Sequence, residues 1–551
     1  MASGEILIRG GQICDGTGRT LFPADVLVRG GAIEQVGPGL LAPAGARVLE
    51  AGGQIVAPGF IDLHSHADLL FPLPDRGAER LLAGRILQGI TTEIVGNCGL
   101  GPAPASELSA PLITGILAWM TPAGGARSWT SLGAYLDAVE EAGPPLNVGA
   151  LLPHGAVRLA AMGLRAGAPH AAEARQMVAT VERGLEEGAF GLSTGLIYPP
   201  GMFSDTEELI ALGRPVACSG RLMTSHVRGS SELLFESVEE LLRIGREAGC
   251  QVHHSHSEAV GRAHWRKIET VLQREEAARH EGIGVSFDMF PYTVAATMML
   301  AIYPPWALEG GVGALLARLR AHRERERIRL DIEELRPAWP PWSPGGWPHN
   351  LVSAVGWEGI AVSRVASAAN RRCEGMTLAE LGKVREASPF DAICDLMIEE
   401  DGEVGQWVFQ ISGTEQEEDG LLLLAADPAG AFCTDAIDTG RGLPHPAAYG
   451  AFPRVLARLV REKKVLKLED AIRKMTGYPA ELLGLSDRGR IAAGAQADIV
   501  VFDPEAIEDN ATLSEPRLPA RGISEVLING IPVVTGSRYI GEPAGKVLRA
   551  G

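Results

Sequence analysis

Phe60-Ile61-Asp62-Leu63-His64-Ser65-His66, led in by Pro58-Gly59, decides the fold. An apolar run closing on histidines at i and i+2 reads as a buried strand. Alternate strand residues share a face, so both imidazoles are delivered to one place. Working outward, the same construction recurs, a strand ending in a metal-binding side chain. Glu93-Ile94-Val95 runs into Gly96-Asn97-Cys98-Gly99, Thr224-Ser225 into His226, and Ala431-Phe432-Cys433-Thr434 into Asp435. In His253-His254-Ser255-His256 strand alternation puts His254 and His256 on one face and His253 on the other. Between these segments lie amphipathic helical stretches at 76–88, 171–187, 232–247 and 262–280, each followed by a short apolar strand. Alternating helix and strand argues for βα units around a parallel sheet. Donors at successive strand ends are where a (β/α)8 barrel places its site. The expected fold is therefore α/β, a TIM barrel over residues 58–487.

The two ends of the chain follow a different rule. Ile6-Leu7-Ile8 meets Gly10-Gly11 and Val26-Leu27-Val28 meets Gly30-Gly31, while Val526-Leu527-Ile528 turns at Asn529-Gly530. Short apolar runs broken by such turns are hairpins. Residues 1–57 and 488–551 are expected to build one small β-sandwich domain together. The stretch 296–350 breaks the barrel rhythm with a mixed-charge run, Arg323 to Arg329, and a tryptophan- and proline-rich segment carrying Trp339, Trp342 and Trp347. It reads as an insertion over the barrel mouth, with the charged run as a solvated helix face.

Bulk properties narrow the function. The 551 residues carry a net charge of −18 and are 46% hydrophobic, which supports a large core and disfavours nucleic-acid backbones and anionic membranes. No run approaches the roughly 18 apolar residues of a membrane span. The N-terminus lacks a secretory pattern, and the seven cysteines, with no Cys-x-x-Cys, do not form a disulfide framework. The expected setting is cytoplasmic, with a small-molecule amide substrate, no nucleic acid, no membrane and a possible homo-oligomer.

Zinc takes nitrogen, sulfur and oxygen ligands from separate backbone elements, and a catalytic site keeps one position open. His64, His66, Cys98, His226, His256 and Asp435 supply such a set, and Asp435 is the natural general base. Asp68 is placed either to orient a ligand histidine through its free ring nitrogen or to cap a helix. The first lysine of the chain is Lys267, so a carboxylated lysine cannot bridge two metals at the usual early position; the Cys98 thiolate is the obvious substitute.

On these residues the chain resembles the amidohydrolase superfamily and, within it, the D-aminoacylase or N-acyl-D-amino-acid deacylase family. Pro58 through His66, Gln88 through Gly99, Gly191 through Pro200, Ser225-His226-Val227-Arg228, Ser255-His256, Asp288 with Pro291-Tyr292, and Thr434-Asp435 carry the resemblance. Matches continue through His445-Pro446, Tyr449-Gly450, Phe452 to Leu456, and Gly494 to Asp498. The resemblance implies zinc, as one or two ions. One would be held by Cys98, His226 and His256, the second by His64, His66 and Asp435 with Cys98 bridging. It implies hydrolysis of a linear amide, with Asp435 as catalytic acid and base and with Tyr198, Arg228, Glu258 and Tyr292 around the substrate. Two positions depart from the family pattern. Ser257-Glu258 stands where a carboxylate-binding lysine is common, and Phe290 replaces the first tyrosine of Tyr-Pro-Tyr. Arg228 is the residue available to replace that cation. The competing expectations are a hydantoinase-like cyclic-amide hydrolase and an amidase or esterase for neutral acylated compounds.

Overall fold

The computed structural model describes residues 4–73, 76–122, 125, 127–334, 349–541 and 543–551. Trp339, Trp342 and Trp347 lie outside the described residues. The fold is mixed α/β. Parallel strands pair in chain order: Phe60–Asp62, Ile90–Val95 and Asn147–Ala150 in one sheet, then Leu152–Pro153, Gly191–Gly195, Leu222–His226, Gln251–His254, Val285–Met289 and Gly430–Phe432 in another. Nearly every residue in these strands is buried, as expected of parallel strands covered on both faces. A parallel bridge between Ser65 and Ala436 joins the segment after the first strand to the segment after the last. Asp435 N donates to His64 O at 2.9 Å and His66 N to Ala436 O at 3.2 Å. Thr434 N adds a bond to Asp62 Oδ1 at 3.0 Å.

The intervening helices form where the sequence pattern placed them. Leu234–Ala248 buries Leu234, Val238, Leu241, Leu242 and Gly245, a single 3.6-period stripe, and stops at Gly249 in the left-handed conformation, φ 76°. Ala171–Glu186 and Lys267–His280 lie in the same way between strands. Amphipathic helices against apolar strands merge into one large core in which Phe60 stacks on Phe452 at 5.5 Å between ring centroids.

The strands expected to form a sandwich from the two ends hydrogen-bond into one continuous nine-stranded sheet. It joins Ile6–Ile13, Phe22–Arg29, Ala32–Gly37, Arg47–Glu50 and Ile55–Pro58 to Ile499–Phe502, Ile523–Ile528, Ile531–Thr535 and Arg538–Tyr539. Strand alternation splits its two faces between cores. Ile499 and Val501 join a local cluster with Ile6, Ile8 and Val26, whereas Val500 and Phe502 enter the large core.

The excursion between Met289 and Gly430 is longer than the 296–350 stretch whose composition marked it. It contains an antiparallel sheet of Val294–Met298, Gly405–Phe409 and Ile360–Arg364, with helices Val312–Arg320, His322–Glu333, Leu378–Val384 and Pro389–Glu399. The charged run lies on His322–Glu333. Arg329 bonds Glu326 and Glu333 along the helix, but Arg325 reaches across to Asp391 and Asp395. Part of that face is therefore a helix–helix contact. Among the described residues no helix is long and apolar enough to cross a membrane.

Candidate metal centre

All six expected ligands converge, with Cys98 at their centre. Its Sγ lies 3.2 Å from His64 Nε2, 3.5 Å from His256 Nε2 and 3.8 Å from His226 Nδ1. Asp435 Oδ1 stands 3.4 Å from His64 Nε2 and 3.2 Å from His66 Nε2. Two donor triads result, Cys98 with His226 and His256, and His64 with His66 and Cys98. These spacings test whether zinc fits. Bonds of about 2.3 Å to sulfur and 2.0–2.1 Å to nitrogen or oxygen, opened at the tetrahedral angle, put a sulfur and a nitrogen about 3.6 Å apart and two light atoms about 3.4 Å apart. The observed separations match both, so the residues suit the metal.

The backbone that holds these donors is strained where they sit. Cys98, His256 and Asp435 have φ of 53°, 35° and 46°, in the left-handed region that non-glycine residues seldom adopt. The Cys98 turn is flanked by Gly96 and Gly99, also at positive φ, and backbone of Leu151 and Gly195 packs too closely for a Cβ at either glycine. Gly96 N donates to Asp68 Oδ1 at 2.7 Å. Asp68 therefore anchors the cysteine turn, and His66 Nδ1 is left without a hydrogen-bond partner.

Asp288, at the end of Val285–Met289, organises the imidazoles. Its Oδ2 takes His64 Nδ1 at 3.2 Å and His253 Nε2 at 2.9 Å, and its Oδ1 accepts from the His256 amide and from Cys433 Sγ. A carboxylate on Nδ1 fixes the His64 tautomer and leaves Nε2 as the ligand atom. The sequence showed Asp288 as a matching residue without a role; its place at a strand end was the available signal. The histidine cluster also differs from the alternation rule. The strand stops at His254, whose Nδ1 turns outward to Glu275 at 2.9 Å, and the turn at His256 swings that ring into the centre.

Electrostatics follow from burying these groups together. Burial alone would raise the Cys98 thiol, but His64, His226 and His256 overcome it and hold the pKa well below the usual value. Burial would likewise raise Asp435, and His64, His66 and His256 bring it down. Burial opposes protonation of His66 and His256, yet Asp435 and Cys98 raise His66 to about 9, and Cys98 and Asp435 do the same for His256. Burial and the charge of His256 lower His226 to about 4. The metal-free site thus already favours thiolate and carboxylate, the forms that bind metal.

A cavity of about 510 Å³ opens on this centre, lined by His66, Cys98, Tyr198, His226, His256, Glu258 and Asp435 together with Trp119, Thr297 and His349. Of the four expected substrate contacts, Tyr198 and Glu258 line it and Arg228 and Tyr292 do not. Arg228 is committed elsewhere, to Glu240 at 2.9 Å and to the carbonyls of Met202 and Ser204. Tyr292 is clamped between the Arg454 guanidinium, 4.6 Å from its ring, and His445. Sequence reasoning missed Trp119, Thr297 and His349, which come from segments without a local motif.

Known proteins align with this geometry. The model of the Amidohydrolase family matches residues 47–212 and 420–534. An N-acyl-D-glutamate deacylase of Alcaligenes xylosoxydans xylosoxydans is 36% identical over 99% of this chain and 96% of that protein. The crystal structure of an N-acyl-D-glutamate deacylase from Bordetella bronchiseptica, complexed with zinc and a phosphonate mimic of the tetrahedral intermediate, superposes with a TM-score of 0.80 at 32% identity, covering 99% of each chain. A D-aminoacylase structure superposes at 0.78 with 28% identity over the full length of both. The chain belongs to the amidohydrolase family, in its D-aminoacylase branch.

Proposed function

We propose that the chain is a zinc-dependent hydrolase of linear amide bonds, acting on an N-acyl amino acid or a related N-acyl compound. The observation that carries this reading is the pair of donor triads meeting at Cys98 with Asp435 against the second. Cys98, His226 and His256 would hold one ion, and His64, His66 and Asp435 together with Cys98 would hold a second. When bound, zinc supplies Lewis acidity toward a carbonyl oxygen and acidifies water at neutral pH.

The remaining steps belong to the chain. Asp288 keeps His64 in the tautomer that presents Nε2. Asp435, held ionised by the imidazoles around it, takes the proton from the attacking water and returns it to the leaving nitrogen. The apolar walls at Leu100, Trp119, Ile197, Val408 and Ile411 exclude bulk water from that transfer. The parallel strands form the (β/α)8 barrel over 58–487, a reading supported by the Ser65–Ala436 bridge. Residues 4–57 and 488–551 form the small β-domain, and the described residues 296–334 and 349–350 belong to the excursion over the mouth. Seven free cysteines support a cytoplasmic setting.

Asp435→Asn tests the assignment. Zinc held by Cys98, His226 and His256 should persist while kcat falls by about 10²–10⁴-fold, the usual contribution of a general acid–base group. Full turnover by the variant would remove Asp435 from the chemistry.

A further inference from the structure

An amide bond fixed at the metal still needs the rest of its molecule recognised, and an acyl amino acid brings a carboxylate. The carboxyl groups lining the metal-end cavity are those of Glu258 and Asp435; none of its described lining residues is lysine or arginine. Glu258 is 7% exposed, and its Oε2 accepts no hydrogen bond. A carboxylate beside the scissile bond would therefore meet Glu258 and Asp435 with no lysine or arginine among the described lining residues to balance it.

Cations stand one compartment away. A second cavity of about 360 Å³ adjoins the first across Trp119, Ala296, Thr297 and Ile437, which line both. That shared wall belongs to the metal centre's surroundings. Thr297 Oγ1 bonds Tyr198 OH at 2.7 Å, the Tyr198 ring lies 5.1 Å from that of His226, and Ile437 follows Asp435 by two residues. The second cavity is lined by Arg364 and Arg441, with Ser363, Thr439 and His445 beside them.

Arg364 ends the strand Ile360–Arg364 and is 6% exposed. Its Nη1 donates to the Trp119 carbonyl, while Nε and Nη2 have no hydrogen-bond partner among the described residues. Glu403 stands 3.6 Å from Nη2, beyond hydrogen-bond reach, and is itself 35% exposed. Burial lowers the Arg364 pKa, Glu403 opposes this, and the charge of Arg441 lowers it further. A buried guanidinium with idle donors and a like-charged neighbour is costly alone. A carboxylate accepting two N–H bonds would satisfy it.

We propose that this second cavity is the anion subsite, and that the substrate is an N-acyl compound whose carboxylate lies away from the scissile amide and docks on Arg364 and Arg441. The proposal rests on the amide-hydrolase reading above and adds where charge is recognised. Glu258 then acts as the group that disfavours a carboxylate directly beside the leaving nitrogen.

The test uses the zinc enzyme with N-acetyl-ω-aminoalkanoates of increasing chain length, their neutral N-acetylalkylamine counterparts, and N-acetyl-D-alanine. One chain length should exceed its neutral counterpart in kcat/KM by about tenfold, the effect of one charge-assisted pair. Arg441→Gln, at an exposed position, should abolish that preference through KM. Arg364→Lys should weaken the preference by a similar factor. Saturation-transfer NMR of the same compounds gives a readout independent of turnover, in which the binding advantage of the charged homologue should disappear in Arg441→Gln. Equal binding of charged and neutral homologues, or a preference untouched by Arg441→Gln, overturns the subsite. Failure to hydrolyse any amide would instead sink the amide-hydrolase reading, and the NMR arm would still decide the subsite.

Discussion

Asp288→Asn is the perturbation whose consequence can be worked furthest. The carboxylate touches no expected metal ligand atom, yet it receives His64 Nδ1 at 3.2 Å, His253 Nε2 at 2.9 Å, the His256 amide and Cys433 Sγ. His64 and His253 hold its pKa well below the carboxylate range against a burial effect in the opposite direction. Asparagine preserves volume and one acceptor but removes the charge. Each charge-assisted bond that becomes neutral loses on the order of 1 kcal/mol. Two imidazoles are affected, so the loss should approach about 2 kcal/mol. That agrees with the roughly 10–100-fold reductions seen when partners of metal-bound histidines are removed. Zinc affinity, measured by competition with a chromophoric chelator, should fall by that factor, and kcat/KM at saturating zinc should also drop. A folded Asp288→Asn protein with unchanged zinc affinity would refute the idea that Asp288 sets the His64 tautomer.

Glu258→Lys should raise kcat/KM for simple N-acyl-D-amino acids by about tenfold, since a cation replaces a carboxyl group whose pKa burial pushes up to about 7; unchanged or lower activity would count against Glu258 as a specificity group. Zinc uptake by the metal-free protein should release protons at neutral pH. His66 and His256 both have pKa values of about 9 there and must be neutral to bind. Apparent affinity should accordingly rise with pH and level off above about 9. A weakly buffered indicator titration measures this, and proton-free uptake at neutral pH would contradict it. Arg85 is fully buried, forms an ion pair with Glu93 at 3.2 Å and donates to the Ala448 carbonyl. Arg85→Met strands Glu93 in the core and should cost about 3–5 kcal/mol in chemical denaturation; a loss under 1 kcal/mol would show that Glu93 is neutralised in another way.

Much of the candidate metal centre's convergence was legible because strand ends are marked by residue type. Apolar runs closing on His64, Cys98, His226 and Asp435 declare both the strand and its donor, and the parallel pairing brings those ends together. Patterning failed where the backbone left strand geometry. His256 sits at φ 35° just past its strand, so two-residue alternation no longer predicts its side. Arg228 was legible as a cation beside a ligand. Its partner Glu240 lies on the following helix, however, and no local pattern shows which charge will claim which. The excursion was visible only as broken rhythm. Its antiparallel sheet joins Val294–Met298 to Gly405–Phe409, more than a hundred residues apart, and such register is set by tertiary packing.

X-ray absorption at the zinc edge of the metal-loaded protein reads the role of Cys98 itself. The spectrum should contain a sulfur scatterer at about 2.3 Å beside nitrogen and oxygen neighbours at about 2.0–2.1 Å, with the sulfur lost in Cys98→Ser. A wild-type spectrum containing only light nitrogen and oxygen neighbours would contradict that role.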